Sequence, residues 1–191
     1  MKIDKSIIGS FILLIVIASF YRVMPGRPLG FAPQIAMALF SGSIIKDKKF
    51  SFLMPLFSML LSDIIYELLF YFKVSPYGGF YDGQLINYIL FMAITVIGFG
   101  INKSKWFSIL TGSVAGVLFY FFASNIAVWI GGGLGLNGLP YPKTLAGLSA
   151  CLGAGLPFLR GSFYAALFFS GILFGGYYLM GKYWLAKPAI A

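Results

Sequence analysis

Asp63 and Glu67 stand four residues apart inside the apolar run Leu53 to Phe72, a spacing that puts two carboxylates on one face of a helix. Facing lipid, either charge would be costly, and ionisable side chains at such depth are functional-site candidates by default. Counted at 1.5 Å per residue from a start near Ser51, Asp63 lies roughly 18 Å and Glu67 roughly 24 Å into a hydrocarbon layer about 30 Å thick. Arg22, counted from Ser6, reaches roughly 24 Å, the depth of Glu67 within one turn. The register predicts an ion pair between Arg22 and Glu67 or Asp63. Two uses compete for it, a solute site and a polar staple between helices. A third follows from low dielectric, where a carboxylate can titrate near neutral pH. Asp63 or Glu67 would then cycle a proton in an ion-coupled carrier.

Other polar residues fall inside apolar stretches: Gln34, Asn87, and Asn125 with Trp129 one turn apart. Singly, such residues serve as interhelical hydrogen bonds. The Asn125 and Trp129 pair is more pointed, because an amide beside a large ring is what fixing a planar ligand requires. Arg160, after Leu156-Pro157-Phe158-Leu159, is placed to close such a pocket from an outer loop. Tyr77, Tyr81 and Tyr141 read as interface anchors. Gly131-Gly132-Gly133-Leu134-Gly135 lacks the Lys-Ser or Lys-Thr that a phosphate loop needs. With no histidine and a single cysteine, Cys151, the usual zinc constellations and an internal disulfide are absent. No nucleophile is spaced to a base, so the sequence predicts no enzyme and no cofactor.

The elements that must position these residues follow from composition. Hydrophobic residues make up 60% of the 191 and charged ones 10%, against roughly 25% charged in a soluble domain. The net charge of +9 is dispersed in ones and twos, which argues against nucleic acid as a partner. Irregular backbone cannot face lipid, so helices must carry the crossings. The pattern predicts a single all-α transmembrane domain over residues 1–191, an integral bundle of about six helices. The spans are Ser6 to Met24, Phe31 to Ile45, Ser51 to Phe72, Gln84 to Ile101, Trp106 to Ile130 and Ser162 to Tyr183. The second is short enough to be tilted or partly embedded. The first follows Lys2 and Lys5 as a secretory signal would, but Ala18-Ser19-Phe20 is a poor cleavage site, so it reads as a retained helix.

Turn chemistry separates the spans at Pro25-Gly26-Arg27-Pro28, Lys46 to Lys49, Pro76 to Gly79 and Asn102 to Lys105. A long outer loop, Gly131 to Arg160, separates the fifth span from the sixth. Inside it Thr144 to Leu156 is too short to cross and reads as an interfacial or re-entrant helix that Pro157 stops. Positive charge gathers on the cytoplasmic side of short loops. One side collects Lys2, Lys5, Lys46, Lys48, Lys49, Lys103, Lys105, Lys182 and Lys187; the other has Arg22, Arg27, Lys73, Lys143 and Arg160. Both termini are therefore predicted cytoplasmic. All three arginines fall on the outer side, two of them at the edges of spans, which marks them for a site. Small residues at four-residue spacing, Ser108, Gly112 and Gly116, and Gly171 with Gly175, permit close helix approach, for internal packing or for docking.

The run from Arg22 through Pro25-Gly26-Arg27-Pro28 to Ser41-Gly42, followed by Met54-Pro55-Leu56 and Leu61-Ser62-Asp63, resembles a bacterial family of membrane proteins assigned to transport, of unknown substrate. Ala154-Gly155-Leu156-Pro157-Phe158-Leu159-Arg160 is similar to that family's last loop. That family more distantly resembles the substrate-binding membrane subunits of energy-coupling-factor vitamin transporters. The resemblance implies six helices, capture of a vitamin or related micronutrient near the outer face, and a membrane coupling protein served by two ATPases. Those subunits carry an Ala-x-x-x-Ala docking surface on the first helix, where this chain offers Ser6 and Ser10.

Taken together, these readings predict a protein of the bacterial inner membrane that takes a small polar or aromatic solute from the outer side. Arg22, Asp63, Glu67, Asn87, Asn125, Trp129 and Arg160 are the candidate binding residues. Expected partners are lipid, the solute, and a coupling protein with ATPases or a second copy of the chain. The alternatives are the ion-coupled carrier and a non-transporting scaffold subunit whose packing glycines form the working surface.

Overall fold

The computed structural model describes residues 5–183 except 136, the side chains of residues 5–8 and 183 apart. Lys2 and Lys187, used in the orientation argument, lie outside the described residues, as do the side chains of Lys5 and Ser6. The described chain is all-α: α1 (Lys5–Val23), α2 (Gln34–Ile44), the single turn α3 (Lys48–Ser51), α4 (Leu53–Tyr71), α5 (Gln84–Phe99), α6 (Trp106–Ile130) and α7 (Leu145–Tyr183). Three helical stretches are long and apolar enough to cross a membrane: Lys48–Tyr71, Trp106–Ile130 and Leu145–Lys182. The others are apolar but shorter.

The 11-residue α2 is the axis of the packing, buried along Gln34 to Gly42 and contacted by α4, α5, α6 and α7. Its residues are small or flexible where neighbours press closest. A Cβ on Gly42 would lie 2.2 Å from the Thr95 carbonyl oxygen, and one on Gly98 2.6 Å from that of Leu39, so two glycines let the α2 and α5 backbones meet. The Ser43 hydroxyl donates to the Ile101 carbonyl at 3.1 Å, so the C-terminal ends of α2 and α5 lie together and the two helices run in the same direction. On the opposite side, Phe40 meets the edge of Phe174 at 5.2 Å. Hydroxyls join other helices: Ser19 donates to the Ser58 carbonyl at 2.9 Å between α1 and α4, and Ser113 and Ser170 bond at 3.0 Å between α6 and α7. Such pairs are the expected glue where lipid removes the hydrophobic drive between helices.

One element departs from the sequence reading. The 131–160 stretch is not a loop throughout: α7 starts at Leu145, is 39 residues long and contains Pro157. Thr144 caps it, its Oγ1 accepting from Gly147 N at 3.2 Å. Proline removes one N–H and crowds the carbonyl four residues back, here that of Gly153. Gly153 and Pro157 are both exposed, so the carbonyl has room to tilt away from the ring and the helix continues through the proline. The connection proper is 131–144, folded on itself by an antiparallel pairing of Leu134 with Pro140. The α4 helix ends in a Schellman-type turn, with Val74 N on Leu69 O at 2.8 Å and Lys73 N on Phe70 O at 2.9 Å. Lys73 takes the left-handed position, φ 58°.

Candidate functional site

Asp63, on the second half of α4, is 1% exposed and receives three donors. Arg22, in the last turn of α1, gives Nη1 to its Oδ1. Its Oδ2 accepts from Gln84 Nε2 at 2.6 Å and from the Tyr88 hydroxyl at 2.7 Å. Of the two carboxylates offered to Arg22 by the helical register, the structure selects Asp63. Arg22 Nη1 also donates to Ser62 Oγ, and the Tyr66 hydroxyl donates to the Arg22 carbonyl at 3.0 Å. A buried ion pair is tolerated when its remaining lone pairs are satisfied, and Gln84 and Tyr88 do that here. Neither was singled out from sequence. Their i, i+4 spacing on α5 was the available signal, since it aims two polar groups from one helix face at a neighbour.

Glu67 performs a different task. Its Oε2 accepts from Gly79 N at 2.9 Å and Phe80 N at 3.3 Å, which folds the 72–83 connection back over α4. Gly79 is packed so tightly that a Cβ there would lie 1.7 Å from the Asp63 carbonyl oxygen. Between this connection, α4 and the end of α1 runs a cleft of about 540 Å³, lined by Arg22, Asp63, Tyr66, Phe70, Pro76, Tyr77, Gly78, Gly79 and Tyr81. The lining mixes one ion pair with aromatic walls. Tyr77 and Tyr81, expected as interface anchors, are among those walls. The guanidinium of Arg22 lies 5.9 Å from the Tyr66 ring centre.

Asn87 extends the network sideways: its Nδ2 donates to the Tyr81 hydroxyl at 2.6 Å, and its Oδ1 accepts from the Tyr120 hydroxyl at 2.9 Å. A polar chain thus links the cleft wall to α6. Desolvation raises the Tyr81 phenol above its ordinary pKa, with the Arg22 charge acting in the opposite sense. Tyr81 is therefore a neutral hydroxyl at physiological pH.

Residues 3–189 match a family of unknown function, DUF6580. The chain belongs to that family. No curated protein and no solved structure matches it.

In this DUF6580 chain the remaining candidates lie apart from the ion pair. Asn125 Nδ2 donates to the Phe121 carbonyl of its own helix at 2.7 Å, and the Cys151 thiol donates to the Asn125 carbonyl at 3.4 Å. Trp129 Nε1 donates to the Pro142 carbonyl at 2.8 Å. Lys143 completes this end, its ammonium 5.6 Å from the Trp129 ring centre and donating to the Trp129 and Ile130 carbonyls. A cation on the last carbonyls of α6 is where the helix dipole favours it. Trp129 thus helps fasten the 131–144 connection to α6, while the Asn125 amide bonds within its own helix and its backbone carbonyl meets α7. Arg160 is exposed on α7, its guanidinium 5.9 Å from the Tyr164 ring centre. Among the described residues, no group of three or more Cys, Asp or Glu is arranged to hold a metal ion.

Proposed function

We propose that this protein is a solute-capture subunit of the bacterial inner membrane, which binds a small planar micronutrient in the cleft beside Arg22 and Asp63. The observation that carries the reading is an ion pair whose buried carboxylate is fully satisfied while its half-buried guanidinium opens onto an aromatic cleft. A polar staple has no use for the opening. The volume falls within the roughly 300–1,000 Å³ of small-molecule sites. Aromatic faces at Tyr66, Tyr77 and Tyr81 suit a flat ring. Arg22 makes its hydrogen bonds through Nη1 alone, which leaves Nη2 and Nε to meet an acceptor on the solute.

In this reading six helices cross the bilayer, α2 and α5 completing their passage with the short segments beside them. Both termini are cytoplasmic, and the cleft faces outward. The resemblance to energy-coupling-factor subunits supplies the partner, a membrane coupling protein with ATPases. Asp63, with three donors on its oxygens, holds Arg22 in place at the cleft.

The test is a thermal-unfolding screen of the purified protein against vitamins and their precursors, run on wild type and Tyr77→Ala. One ring-containing solute raises the wild-type midpoint and has little effect on the variant. Absence of stabilisation by any of them contradicts the proposal.

A further inference from the structure

Gln34 is 2% exposed, and neither its Oε1 nor its Nε2 has a hydrogen-bond partner among the described residues. Other buried polar side chains are paired: Asp63 with Arg22, Thr95 with the Phe91 carbonyl, Ser113 with Ser170. A buried amide with both ends unmade is costly, and native interiors contain few such groups.

A second feature converges on the same place. Gln34 is the first residue of α2, whose first backbone bond runs from Met37 N to Pro33 O at 2.9 Å. The N–H groups of Gln34, Ile35 and Ala36 precede it, and Pro33 supplies no side-chain cap. Such an end carries partial positive charge and favours an acceptor oxygen. The connection leading into α2 is pinned on α7, with Ser162 Oγ donating to the Gly30 carbonyl at 3.2 Å. A Cβ on Gly30 would lie 2.1 Å from the Phe158 carbonyl oxygen. The spot is thus closed to solvent, and it is separate from the cleft, whose lining does not include Gln34.

We infer that Gln34 and the uncapped first turn of α2 form an occluded site for a neutral ligand edge that sets a carbonyl oxygen beside an N–H. Carboxamides, lactams and pyrimidine-type rings carry that edge. The ligand oxygen accepts from Gln34 Nε2 and the first-turn amides, and the ligand N–H donates to Gln34 Oε1. A carboxylate would leave Oε1 unpaired, and an ammonium would oppose the helix end.

The experiment uses the full chain in nanodiscs, with uracil and benzamide as probes and methyl benzoate as the control that lacks the N–H. Uracil or benzamide raises the wild-type melting temperature, methyl benzoate does not, and Gln34→Leu abolishes the shift. Without probe, Gln34→Leu melts no lower than wild type, because the leucine replaces an amide that had no partner. Hydrogen exchange on wild type gives a readout that needs no variant. At about nine-tenths occupancy the amides of Ile35 and Ala36 exchange about tenfold more slowly. Tyr77→Ala, which alters the cleft, leaves these readouts unchanged, so the two sites are tested separately. The inference is overturned if neither amide probe shifts wild type, if both shift Gln34→Leu equally, or if probe-free Gln34→Leu melts lower. That last result would mean the amide has a protein or water partner.

Discussion

Asp63 is buried against a half-buried Arg22, so removing either leaves the other charged and unpaired. Arg22→Ala or Asp63→Ala should each cost about 3–5 kcal/mol in chemical unfolding, whereas the double change to Met and Leu should cost less than the sum of the single ones. Additive losses would show that the two side chains do not interact. Glu67 acts on the connection above it. Glu67→Gln replaces a charged acceptor of two backbone amides and should weaken that fold-back by on the order of 1–2 kcal/mol. Hydrogen exchange at Gly79 and Phe80 would then speed up while the α4 amides stay protected, and unchanged exchange at those two positions would refute the latch. The depth count along α1 and α4 made the ion pair legible, because helical rise converts residue number into height. It could not choose between carboxylates one turn apart. The fold-back of 72–83 decides that choice, and nothing in a single strand of sequence records which loop amide will reach Glu67.

At the scale of elements, the boundaries of α1, α4, α5 and α6 are readable to within a few residues, because apolar runs end at turn residues such as Gly83 and Lys105. The failure at α7 has a physical cause. Proline removes one helical hydrogen bond and crowds one carbonyl, but Gly153 and Pro157 are exposed, which leaves that carbonyl room to tilt aside, and the other bonds of a 39-residue helix carry the chain through. Small-residue spacing was legible as a pattern without revealing its role. Gly116 packs against Leu39 and Ile35, while Gly171 and Gly175 meet nothing within 4 Å. The contrast gives a paired prediction. Gly42→Ala forces α2 from α5 and should cost about 1–3 kcal/mol, whereas Gly171→Ala should be neutral or stabilise by up to about 1 kcal/mol. Melting curves of the two variants side by side check this, and equal destabilisation would argue that Gly171 is also a packing contact.

For the whole molecule, composition dictates the solvent and the apolar runs dictate the helices, but sidedness rests on charge bias alone. Cys151 is buried, which favours a low background for thiol labelling. Ser104→Cys should react only from the cytoplasmic side and Asn137→Cys only from outside; the reverse pattern would invert the bundle and turn the cleft inward. The account as a whole depends on the Arg22 and Asp63 cleft holding a solute. It is tested most directly by mass spectrometry of small molecules that co-elute with protein purified from its native membrane, wild type beside Tyr77→Ala. The prediction is one flat, polar compound in near-stoichiometric amount with wild type and strongly depleted in the variant. Recovery of no such compound with wild type, or of equal amounts with both, would contradict it.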